Sequence, residues 1–146
     1  MKFGKRSLHN LLTCHTDLQK ILYLAIERSR IDFGISEGHR SIERQKQLYQ
    51  EGKSTIDGIT KRGKHNSNPS MAVDIYAYHP DISVRRKIIY DLGTLCYLAG
   101  HIIACANELK SKGEITHDIR WGGNWNRDSV ILHDQSFDDL PHFELR

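Results

Sequence analysis

The chain has only three cysteines, Cys14, Cys96 and Cys105, and no two of them form a CxxC pair. An odd count with no visible secretory leader argues against a disulfide framework and for reduced thiols. Cys96 and Cys105 fall on one apolar helical pattern and read as core packing. No uninterrupted apolar run approaches the roughly 18–20 residues of a membrane span. Met1 to Ser7 lacks an apolar h-region, so neither a secretory signal nor stable membrane association is expected. Charge of one sign is also missing. Lys plus Arg number 21 against 18 Asp plus Glu, for a net charge of +3 and a pI of about 8.8. The basic residues are scattered, with short clusters only at 61–64 and 85–87. That excludes the concentrated basic stripe of a nucleic-acid binder and leaves a mild attraction to polyanionic surfaces. No internal repeat and no low-complexity linker interrupts the chain.

What is present is a globular composition, 38% hydrophobic and 27% charged over 146 residues. That length makes residues 1–146 one domain, able to bury about two-thirds of the surface its unfolded chain exposes. Thr16-Asp17-Leu18-Gln19 reads as a capping box opening a helix over 17–29. Residues 32–37 alternate like a short strand, and Ser41 caps a helix over about 42–51. Residues 53–70 form a long polar loop, a length usually reserved for function. Residues 71–78 alternate again, with Val73, Ile75 and Ala77 on one face and Asp74 on the other. One long core helix is expected from Pro80 or Ser83 to Lys112, with Gly113 ending it. A strand over 115–121, an irregular stretch over 126–138 and a closing strand over 141–145 complete the chain. In that last strand His142 and Glu144 share one face.

Two stretches carry candidate chemistry: His65 to Asp74, and Asp139-Leu140-Pro141-His142-Phe143-Glu144-Leu145. They offer two imidazoles and a carboxylate, with another acid, Asp139, three residues before the last histidine. Two histidines and one carboxylate, leaving a fourth position for water, are a common catalytic zinc set. A spare carboxylate beside that water is what hydrolysis needs. Spacing alone is weak evidence in a chain with nine histidines. Trp121 and Trp125, flanking two glycines, fit either a substrate cleft or core and rim positions. His133 and Glu144 are candidate partners for orienting the ligands.

Three ordered segments, Gly38-His39-Arg40-Ser41-Ile42-Glu43-Arg44-Gln45, His65 to Asp74, and Asp139 to Leu145, resemble the signatures of the VanY-like, or LAS, peptidoglycan metallopeptidases. These are D-alanyl-D-alanine carboxypeptidases and dipeptidases, together with phage L-alanyl-D-glutamate endolysins. The resemblance spans about Leu18 to Leu145. It implies a small α+β domain of the hedgehog and DD-peptidase type, with an antiparallel sheet that carries one zinc ion per chain and packs against helices. It assigns His65, Asp74 and His142 as metal ligands and Asp139 as the general base. Arg40 would stabilise the developing oxyanion, and Gln45 and Trp121 are the candidate substrate contacts. The shorter Asp at 139 is similar to the endolysin branch, so the expected substrate is the L-alanyl–D-glutamate bond of the stem peptide. A D-alanyl-D-alanine carboxypeptidase and a non-catalytic peptidoglycan-binding module are the alternatives. Without a leader, such a lytic enzyme is expected to accumulate in the host cytoplasm, as a monomer with no separate wall-binding domain. The nine positions from His65 to Asp74 exceed the family's usual S-x-H-x-x-G-x-A-x-D spacing. The surplus is expected to bulge before the strand.

Overall fold

A computed structural model describes all residues, 1–146. A four-stranded antiparallel sheet in the order β1-β2-β4-β3 forms its centre, from β1 (Phe33–Glu37), β2 (Ala72–Ala77), β3 (Ile119–Gly122) and β4 (Asp139–Leu145). Period-two alternation gives the sheet two unlike faces. Val73, Ile75, Ala77, Phe143 and Leu145 are buried on one side. They pack with α2 (Thr16–Arg28) and α5 (Leu92–Ser111) into the single core. Asp74, His142 and Glu144 point to the other side, and the register sets Asp74 directly opposite His142. The expected α+β architecture is therefore the one observed.

Several element boundaries differ from expectation for local reasons. A helix the periodicity does not announce, α1 (Lys5–Leu11), precedes the rest. Its anchor is tertiary: the Ser7 hydroxyl accepts the Ile35 amide at 3.0 Å. The cap of α2 is His15 rather than Thr16, with its Nδ1 accepting the Asp17 amide at 3.1 Å. Gln19 spends its side chain on the Cys14 carbonyl instead of completing a capping box. The expected long helix is two, α4 (Ile82–Ile88) and α5. Asp91 leaves the helical conformation and caps the second by accepting the Thr94 amide at 2.8 Å. By length and composition α5 does reach what a membrane span requires, contrary to the reading of the sequence. Its apolar stripe, from Leu95 through Ile102 to Leu109, is the core packing itself. α3 (Ile42–Gln50), capped by Ser41 as expected, and a short 3-10 turn at Lys64–Asn66 lie at the edge of the polar face.

The strand expected over 115–121 is shortened to β3. Before it, the amides of Thr116 and His117 donate to the Asp17 carboxylate instead of to a neighbouring strand.

Candidate metal centre

Three elements bring one atom each to a point on the polar face. Nε2 of His65, from the 3-10 turn, lies 3.1 Å from Oδ1 of Asp74 on β2. Nδ1 of His142, on β4, lies 3.0 Å from the same oxygen and 3.2 Å from Nε2 of His65. The nine-residue interval from His65 to Asp74 is absorbed as expected, by the 3-10 turn and the bend through Ser70 that precedes β2. The turn is tied in place by its neighbours. The Arg40 amide donates to the His65 carbonyl at 2.8 Å, and the Asn66 side chain returns a bond to the Arg40 carbonyl at 3.0 Å.

The outward nitrogen of each ring is already committed. Nδ1 of His65 lies 2.7 Å from the Gly38 carbonyl, and Nε2 of His142 lies 3.3 Å from Oε2 of Glu144. Both partners are acceptors, so each ring places its N–H outward and turns its lone pair inward. With each outward N–H spent, the inward nitrogens of the two neutral rings and a carboxylate oxygen face one another, an arrangement that calls for a cation, either an added proton or a metal ion. A tetrahedral ion about 2.0–2.2 Å from each donor separates those donors by roughly 3.3–3.6 Å. The observed triangle is within a few tenths of an ångström of that.

The electrostatics agree. Burial alone would raise the Asp74 carboxyl, but the charges and hydrogen bonds of His65 and His142 hold it far below the ordinary range. Burial would lower His142, yet hydrogen bonds to Asp74 and Glu144 outweigh it and hold the ring up at about 9. The pocket therefore favours a positive charge among these atoms. Glu144, opposed by burial, is brought down to about 2 by His142 and Arg120. The residues present fit a metal ion.

Around this triangle stand the other expected residues. Asp139 is half-buried at the start of β4. Burial, then the Asp74 charge, raises its carboxyl, and no hydrogen bond acts on it. Arg40 reaches the triangle edge, with Nη2 3.5 Å from Oδ2 of Asp74. That same nitrogen pairs with Glu37, a residue sequence reasoning missed. Its position at the end of β1, three before Arg40, is the signal that was available. Gln45 is 1% exposed. It accepts from Arg40 Nη1 at 3.1 Å and donates to Ile56 O at 2.7 Å, so it braces the arginine and the following loop from within. Trp121, offered as a substrate contact, is 4% exposed and spends its indole N–H on the Leu140 carbonyl at 2.8 Å. Strand alternation puts it with Ile119 on the core face. The half-exposed aromatic beside the triangle is Trp125, with its ring centre 5.6 Å from that of His142. His133 is exposed, and its side chain hydrogen-bonds to none of these groups; its backbone amide donates to the Ile131 carbonyl.

A second trio, His15, Asp17 and His117, also brings three ligand-type atoms within 4.8 Å of one another. Its electrostatics are the reverse. Oδ2 of Asp17 already receives the amides of Thr116 and His117 and the His117 ring at 2.8 Å, and His15 Nδ1 receives the Asp17 amide. With N–H groups filling the space between acceptors, this cluster is a clip holding the approach to β3 against α2.

Known proteins resemble this chain along nearly its whole length. A sequence model of the phage L-alanyl-D-glutamate peptidase family matches residues 1–146. The peptidoglycan L-alanyl-D-glutamate endopeptidase CwlK of Bacillus subtilis (strain 168) is 28% identical over 144 residues, covering 94% of this chain and 73% of CwlK. The L-alanyl-D-glutamate peptidase of Escherichia phage T5 is 30% identical over 135 residues, covering 92% of this chain and 88% of the phage protein. The crystal structure of the Serratia marcescens L-Ala D-Glu endopeptidase ChiX superposes with a TM-score of 0.73 at 26% identity, covering 99% of this chain and 90% of ChiX. With the family match running from the first residue to the last, over a fold that its solved relative shares, this chain belongs to the phage L-alanyl-D-glutamate peptidase family of peptidoglycan hydrolases.

Proposed function

We propose that the chain is a zinc-dependent endopeptidase that cleaves the L-alanyl–D-glutamate bond of the peptidoglycan stem peptide, with residues 1–146 as its catalytic domain. The observation that carries this reading is the convergence of three metal-ligand atoms, from His65, Asp74 and His142, within 3.0–3.2 Å of one another. A zinc ion held there would polarise the scissile carbonyl and acidify the attacking water. Nitrogen and carboxylate donors in this combination suit zinc better than the all-oxygen sets of calcium or magnesium.

The protein groups divide the remaining work. Asp139 takes the proton from the water and returns it to the leaving amine, and its raised affinity for that proton suits both transfers. Arg40, braced by Gln45 and Glu37, offers a fixed positive charge beside Asp74 to the oxygen on which charge develops. Gly38 and Glu144 fix the two imidazole tautomers through their outward nitrogens.

Digestion of purified muropeptides, with the products weighed by mass spectrometry, tests the assignment. Cleavage between L-alanine and D-glutamate is expected. Release of D-alanine alone would establish a carboxypeptidase instead, and intact muropeptides recovered with the zinc-loaded protein would leave only a binding module.

A further inference from the structure

On the side of His142 away from the metal triangle lies an arginine that the chemistry above does not use. β3 and β4 pair so that Arg120 stands opposite Glu144. Nε and Nη2 of Arg120 both donate to Oε1 of Glu144, the first at 3.0 Å. Oε2 of that carboxylate is thereby left for the His142 ring. The third guanidinium nitrogen, Nη1, donates to the Trp125 carbonyl at 3.2 Å, and the guanidinium carbon lies 5.2 Å from the centre of the Trp125 ring. Trp125 stacks on Phe137, with 11° between the ring planes, and its indole N–H donates to the Phe137 carbonyl at 2.8 Å. Phe137 is 62% exposed. One side chain therefore touches both the carboxylate that orients a metal ligand and Trp125, the member of the aromatic pair that stands beside that ligand.

The geometry points to Arg120 as a positioning residue for the peptidase reaction: through Glu144 it fixes the His142 ring, and through Trp125 it holds the Trp125–Phe137 pair as a wall of the substrate cleft. This rests on the reading of His142 as a zinc ligand. The planar fork is essential, because it directs donors at two acceptors in different directions at once. A lysine has the charge without the fork. Arg120→Lys therefore leaves neither Glu144 nor Trp125 held as the fork holds them. An aromatic wall tied to a ligand's orienting carboxylate also makes zinc affinity and substrate affinity respond to the same substitution.

The test uses the full chain. Zinc affinity is measured by competition with a chromophoric chelator, and kcat and KM are measured on muropeptide, for the wild type, Arg120→Lys, Glu144→Gln, the double variant and Trp125→Ala. Arg120→Lys and Glu144→Gln should each weaken zinc about 10-fold or more, in the range known for groups that orient metal ligands. The double variant should lose much less than the two effects combined, because both act through one contact. Arg120→Lys should also raise KM several-fold. Trp125→Ala should raise KM with zinc affinity unchanged. A merely structural Arg120 would lower the melting temperature of the metal-free protein while leaving zinc affinity and KM at wild-type values, and that result overturns the proposal. If Arg120→Lys does not fold, full zinc affinity in Glu144→Gln overturns it equally. A wild type that binds no zinc removes the metal assignment and this proposal together, whereas a zinc-binding wild type with unaltered variants removes this proposal alone.

Discussion

At the scale of single residues, the division of labour between Asp74 and Asp139 is the most telling feature. Both are carboxylates at the same pocket, and their surroundings push them apart. Two imidazoles hold Asp74 ionised, whereas burial and the Asp74 charge raise Asp139. Environments that separate two acids in this way suit one to binding a cation and the other to moving a proton, the roles proposed for them above. Asp139→Ala should therefore retain stoichiometric zinc, by metal analysis of the purified protein, and lose about 10²–10⁴-fold in kcat. Unchanged turnover would remove Asp139 from the mechanism, and loss of zinc would make it a ligand. The convergence of His65, Asp74 and His142, with Asp139 and Arg40 beside them, was legible because each lies in a short motif whose residue types serve one chemistry. Glu37 and Trp125 were not assigned from such a motif. Glu37 matters through an ion pair across a turn, and Trp125 through a ring contact with a strand that starts fourteen residues later. Trp121 was misplaced although its alternation with Ile119 already predicted an inward side chain.

Between elements, the critical junction is where β3 meets β4. The register shifts between Trp121 and Gly122, so that Gly122 faces Asp139. A Cβ on Gly122 would lie 2.2 Å from the Asp139 carbonyl oxygen and 3.0 Å from its Cβ. The glycine is what lets the strand carrying Asp139 approach so closely. Gly122→Ala should lower stability by about 1–3 kcal/mol, and should cut kcat beyond what the lost stability explains, because Asp139 moves with the bulge. Gly100→Ala is the control. It lies mid-helix with open space around it, and should gain about 0.5–1 kcal/mol with activity unchanged. Thermal melts and initial rates for the two proteins decide the matter. Equal rates in Gly122→Ala and the wild type would mean the bulge has no part in placing the base. The strands were readable from their alternation because one face of the sheet is apolar and the other is not. The α4–α5 break and α1 were harder. The first depends on a single Asp91 cap inside a continuous apolar pattern, and the second on a hydroxyl meeting a strand amide.

For the whole molecule, the metal triangle ties together parts of the chain that are far apart in sequence, since His65 and His142 are separated by 77 positions. The turn at Lys64–Asn66, β2 and β4 each supply one donor, so the site exists only in the folded chain. A ligand that binds the native state alone stabilises it by RT ln(1 + [L]/Kd), about 2.7 kcal/mol at a hundred times Kd. For a chain of this length each kcal/mol moves the melting temperature by roughly 2–4 °C. Stripping zinc with a chelator should thus lower the melting temperature by about 5–11 °C, and adding back a slight excess of zinc should restore it. The rest of the fold does not depend on the ion, because the core beneath the sheet is a continuous apolar cluster from Phe3 to Leu145 on the opposite face. The chelated protein should therefore still melt cooperatively, with far-ultraviolet circular dichroism unchanged below the transition. A melting temperature indifferent to chelator and zinc would mean that the native chain holds no such ion, and the peptidase assignment would then need a different catalyst for its water.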